Sequence, residues 1–173
     1  MGSVRLRQLA DGLTVARAVL GLPMLLALIA GQAALAWWLL VFGGLSDAAD
    51  GWLARKAGGG SSWGARLDPL TDKILISAAL LWLAAEQVLP LWAIWLLLAR
   101  ELLITGWRSG LDSGGPASTS AKAKTVLQFA ALLLLLWPAA WPWAAPLQSL
   151  GWWLFWPSLA LALWSAVGYA RQA

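Results

Sequence analysis

The sequence predicts an all-α integral membrane protein, with six transmembrane helices behind a short N-terminal interfacial segment and both termini on the cytoplasmic side. Three observations carry this expectation. Hydrophobic residues make up 61% of the 173 and charged residues only 12%, far from the balance of a water-soluble domain. The apolar residues gather into six runs of bilayer-spanning length, separated by clusters of Gly, Pro and charge. The 12 Lys and Arg alternate from one connection to the next. They occupy the N-terminal end, the connections after the second and fourth runs with their flanking helix ends, and the C-terminus, and the other connections carry none. Basic connections stay in the cytoplasm, so both termini belong there.

Composition also excludes several classes. With 0 Cys, no disulfide framework exists. The net charge of +4 is a modest excess that concerns orientation and anionic lipid, so nucleic acid is not an expected partner. The first apolar run follows Arg5, Arg7 and Asp11 and continues into a full span, which is not the pattern of a cleavable signal peptide. The 15 Trp suit a protein whose rings sit at the membrane interface and in packing.

Residues 1–12 carry Val4, Leu6 and Leu9 at helical spacing and form the interfacial segment. Residues 13–173 form a single six-helix membrane domain with no internal repeat. The first span runs from about Leu13 to Ala30 and stops at Gly31-Gln32; the second runs from about Ala33 to Lys56. Gly58-Gly59-Gly60-Ser61-Ser62 reads as a flexible turn. The third span, from about Arg66 to Glu86, places Pro69 in its first turn, where a proline forfeits no helical hydrogen bond. The fourth, residues 90–109, opens on Pro90 and loads its far end with Arg100, Glu101 and Arg108. A Gly, Ser and Pro-rich loop leads to the fifth span, from about Lys122 to Trp137, and Pro138, Pro142 and Pro146 break the next connection. The sixth, from about Leu147 to Tyr169, contains Gly151 and Pro157 as expected interruptions.

Between Leu45 and Lys73 charge crowds into this apolar chain. Asp47, Asp50, Gly51, Ala54 and Arg55 form D-x-x-D-G-x-x-A-R, and Gly64, Asp68 and Asp72 follow as G-x-x-x-D-x-x-x-D. Spacings of three and four put Asp47 with Asp50 on one helix face and Asp68 with Asp72 on another. Four carboxylates converging at membrane depth repel one another and are costly to desolvate, so a cation belongs among them. Oxygen donors in a chain with 0 Cys and 0 His suit Mg2+ or Mn2+. The plainer alternative is that Asp68 caps its helix and Asp47 and Asp50 pair with Arg55 or Lys56.

This stretch resembles the signature of the CDP-alcohol phosphotransferases at every position. Asp68-Pro69-Leu70-Thr71-Asp72-Lys73, Arg100-Glu101-Leu102-Leu103-Ile104 and Lys122-Ala123-Lys124-Thr125 resemble the glycerol 3-phosphate-using branch. The resemblance implies transfer of a phosphatidyl group from CDP-diacylglycerol to the hydroxyl of a small alcohol, releasing CMP at the cytoplasmic membrane, with the site facing the cytoplasm. It implies two divalent cations held by Asp47, Asp50, Asp68 and Asp72, with Asp72 also taking the acceptor's proton. Gly51, Ala54, Arg55 and Gly64 would hold the CDP moiety, and a homodimer is expected on the same ground.

In that family a threonine and an arginine at the spacing of Thr14 and Arg17 often follow Pro-Asn, where this chain has Asp11-Gly12. Arg17 inside a span needs a partner or a watery cavity. Thr14, Arg17, Arg100, Arg108, Lys122 and Lys124 are candidates for an acceptor or phosphate pocket; for the last four and Lys73, snorkelling anchorage is the alternative. Their surplus charge points to a small anionic acceptor, glycerol 3-phosphate first. The competing functions are a cardiolipin synthase of the same family using phosphatidylglycerol, an intramembrane prenyltransferase and a divalent-cation transporter.

Overall fold

The computed structural model describes residues 2–56, 62–109 and 119–170, with side chains described for most of 12–47, for a few positions from there to 73, and for 73–106 and 123–166. Six helices follow one another: α1 (Gly2–Ile29), α2 (Ala33–Lys56), α3 (Ser62–Ala85), α4 (Leu91–Ser109), α5 (Thr119–Leu135) and α6 (Ala144–Ala170). No strand occurs among the described residues. The six helices follow the order of the six apolar runs, and the second coincides with its run at both ends.

Three elements differ from expectation. α1 runs unbroken through Asp11-Gly12, so the interfacial segment and the first span are one 28-residue helix. A single glycine costs a helix only about 1 kcal/mol, which the apolar residues beyond it outweigh. α3 begins at Ser62, before the expected Arg66, so Pro69 falls in its second turn. α6 continues through both Gly151 and Pro157 as one 27-residue helix.

The chain divides into two compact units, Met1–Ala79 and Leu80–Ala173. In the first, α1 packs along α2, burying Met24, Ala27, Leu28, Ala36 and Leu40. Their turn is a close reversal: Gly31 takes φ +70°, its N–H donating to Leu28 O at 3.0 Å and that of Gln32 to Ala27 O at 2.8 Å. This pairing satisfies the last carbonyls of α1 and needs a residue tolerant of positive φ. Gly43 of α2 gives room for α3: a Cβ there would lie 2.1 Å from Leu75 Cδ2, and one at Gly21 of α1 would lie 3.4 Å from Ile74 Cγ2. Leu75 is thereby seated against two helices, three residues beyond Asp72.

In the second unit, α6 packs on both α5 and α4, around Phe155, Leu159 and Ala162 from α6, Ala131 and Leu132 from α5, and Ala93 and Leu97 from α4. Gly151 lets α6 approach the backbone of α5, since an added Cβ would stand 2.8 Å from Leu135 N and from Leu134 Cβ. Large apolar side chains are also exposed outside these contacts, among them Leu26, Phe42, Leu102, Leu103, Val126 and Trp164. Gly12–Ile29 is by length and apolarity sufficient to cross a bilayer, and shorter apolar stretches lie at Ala33–Asp47, Lys73–Ala85 and Ala123–Leu135.

Candidate active site

Arg17 anchors the first unit's polar end. It sits on the α1 face turned to α2 and is only 1% exposed, so its guanidinium must find its partners inside the protein. It donates from Nη1 to Asp47 Oδ1 at 2.8 Å and from Nε to Ser46 Oγ at 3.2 Å. The Ser46 hydroxyl in turn donates to Gly43 O at 2.7 Å, one turn back in α2. Thr14, one turn before Arg17, is also buried. The Asp47 side chain remains 51% exposed. Its ion pair uses Oδ1, which leaves Oδ2 as a further oxygen donor. A carboxylate oxygen in a chain with 0 Cys and 0 His fits a hard divalent cation.

The remaining signature residues are positioned by their helices alone. Asp50, Gly51, Ala54 and Arg55 belong to α2, and Gly64, Asp68 and Asp72 to α3; their side chains lie outside the described residues, as do those of Arg108 and Lys122. The expected turn at Gly58-Gly59-Gly60-Ser61 and the loop before Thr119 lie outside as well.

In the second unit, two of the expected pocket cations converge on one carboxylate. Arg100 of α4 donates from Nη1 to Glu101 Oε1 at 2.8 Å, and Lys124 Nζ of α5 donates to the same oxygen. Arg100 also reaches α6, donating from Nε to Ala162 O at 3.0 Å and from Nη2 to Ser165 Oγ at 2.6 Å. Each guanidinium nitrogen thus has an internal acceptor. Both cations are buried, and among the described residues the Glu101 carboxylate stands between them. It ties α4, α5 and α6 together. Sequence reasoning singled out Arg100 and Lys124 as pocket cations and had Glu101 and Asp112 neutralise only part of the basic charge, whereas Glu101 binds both Arg100 and Lys124 directly. An acid within an apolar run was the available signal. Ser46 escaped it because a lone serine in a helix carries no signal.

These features agree with what the chain's relatives are. Residues 7–164 match the family described as CDP-alcohol phosphatidyltransferase, and this chain belongs to that family of membrane-embedded enzymes. Among curated proteins it resembles a "Probable phosphatidylglycerophosphate synthase" of Mycobacterium tuberculosis, 37% identical over 149 residues covering 82% of this chain and 71% of the relative. It also resembles the "CDP-diacylglycerol--glycerol-3-phosphate 3-phosphatidyltransferase" of Salmonella typhimurium, 33% identical over 160 residues covering 87% of this chain and 79% of the relative. A Bacillus subtilis protein of the same name is 37% identical over 101 residues, 57% of this chain and 52% of that one.

Proposed function

We propose that this chain transfers a phosphatidyl group from CDP-diacylglycerol to glycerol 3-phosphate, yielding phosphatidylglycerophosphate and CMP. One observation carries the reading: relatives named for this reaction match most of the chain, and the full aspartate signature lies within the matched region. The reaction forms a bond between the acceptor oxygen and the phosphatidyl phosphorus and breaks the bond from that phosphorus to CMP.

Asp47, Asp50, Asp68 and Asp72 are the residues that would hold two divalent cations. When bound, such cations neutralise pyrophosphate charge and polarise the attacking hydroxyl. Asp72 accepts the proton that the acceptor hydroxyl loses. Arg55 binds a phosphate oxygen of the donor through its planar fork. Gly51, Ala54 and Gly64 leave room for the cytidine. Arg108 and Lys122 add positive charge that favours an acceptor with nearly two negative charges over a neutral one.

The proposed setting is the cytoplasmic membrane, with six spans, both termini and the site facing the cytoplasm, and a homodimer as the assembly. The alternation of basic connections supports the orientation. Purified protein in detergent, given CDP-diacylglycerol and Mg2+ or Mn2+, should release CMP faster with glycerol 3-phosphate than with phosphatidylglycerol, inositol or serine. Faster release with phosphatidylglycerol would make it a cardiolipin synthase. Metal uptake with no CMP release from any acceptor would point to a transporter.

A further inference from the structure

We propose that Arg17 is a positioning residue for the first signature aspartate: it holds Asp47 through Oδ1 and Ser46 through its hydroxyl, so that Asp47 presents Oδ2 as a metal ligand. The inference rests on the reading of Asp47 as a ligand. It departs from the sequence-based assignment of Arg17 to an acceptor or phosphate pocket.

Burial decides between the two roles. At 1% exposure, Arg17 offers no surface to a substrate phosphate. Its buried charge is offset inside the protein, by a carboxylate 2.8 Å from Nη1. The contacts also explain why the residue is an arginine. Ser46 and Asp47 are consecutive on α2 and so diverge around the helix, and a guanidinium offers nitrogens to both from one rigid plane. A lysine ammonium would keep the charge but lose the fixed fork. The Ser46 hydroxyl has its own proton committed to Gly43 O, so it faces Arg17 Nε with a lone pair. Arg17, Ser46 and the Gly43 carbonyl therefore form a relay of hydrogen bonds that fixes the Asp47 carboxylate relative to two helices. A half-exposed carboxylate would otherwise sample several rotamers, and ligand orientation by outer partners is worth about 10-fold to 100-fold in metal affinity.

The test is Mn2+ binding to the purified full-length protein in detergent, read from the electron paramagnetic resonance signal of free Mn2+, alongside thermal melting. Arg17→Lys should raise the Mn2+ dissociation constant about tenfold. Ser46→Ala should raise it by less than Arg17→Lys does, while leaving the melting temperature near that of the parent. At saturating Mn2+, turnover of Arg17→Lys should recover with an unchanged KM for glycerol 3-phosphate.

Unchanged Mn2+ affinity in Arg17→Lys, with or without a lower melting temperature, would make Arg17 an interhelical clamp and overturn the proposal. A raised KM for glycerol 3-phosphate at unchanged Mn2+ affinity would return Arg17 to the acceptor pocket and overturn it too. Should Arg17→Lys fail to fold, Ser46→Ala decides: unchanged affinity there refutes the relay. Failure of the parent protein itself to bind Mn2+ would remove the metal reading, and this inference with it, a result distinct from any difference between parent and variant.

Discussion

Glu101 shows how much one side chain does in an apolar setting. Two cations, Arg100 of its own helix and Lys124 of α5, donate to a single oxygen of its carboxylate, and taking the carboxylate's charge away would leave both facing each other. Removing one partner from a buried ionic group costs more than the group's net worth, because the remaining charge stays desolvated. Glu101→Gln should therefore destabilise the protein by about 2 kcal/mol, the scale of one charged hydrogen bond. A lower melting temperature in detergent would register it; an unchanged one would show that water already reaches these cations. Arg100 is the residue whose role was least legible. Its sequence neighbours say only that a cation stands among charges near a helix end. That it points to Ala162 O and Ser165 Oγ depends on which face of α6 lies opposite, and no local pattern encodes this. Asp47 stood out through its place in the signature, whereas Arg17, 30 residues earlier, was assigned to an acceptor or phosphate pocket and its pairing with Asp47 was not foreseen.

Helix contacts in both units depend on small residues, and the two close approaches are not equivalent. At Gly151 the nearest atoms are backbone and Cβ of α5, so α6 and α5 would have to separate to admit a methyl group. At Gly43 the obstacle is the end of the Leu75 side chain, which a rotamer change moves. Gly151→Ala should cost about 1–3 kcal/mol. Gly106→Ala, where an added Cβ meets nothing within 4 Å in α4, should be neutral or stabilise by about 1 kcal/mol through helix propensity. Melting both variants together checks the argument, and equal shifts would contradict it. Element boundaries follow the same logic of what was readable. α2 was placed at both ends because Gly31-Gln32 precedes it and a glycine run follows. α6 was expected to be interrupted because Gly151 and Pro157 read as breakers in isolation. Packing on α5 turns that glycine into a contact and keeps the helix whole.

Across the whole molecule, the order of helices and the family were legible, because long apolar runs separated by Gly, Pro and charge delimit the helices and the signature fixes eight residue types at set spacings. The division into two units, with a boundary inside α3, had no counterpart in composition. The proposed topology makes its own prediction: a cysteine at Ser61 should be labelled only from the cytoplasmic side and one at Ala144 only from the opposite side. Labelling of both from one side would contradict six spans. The central claim is the reaction, and its most direct measurement follows labelled glycerol 3-phosphate into the lipid phase. With purified protein, CDP-diacylglycerol and Mg2+ or Mn2+, the account predicts one phosphatidylglycerophosphate for each CMP released, with both lost in Asp72→Asn. CMP release with no label entering lipid, or undiminished labelling in Asp72→Asn, would contradict it.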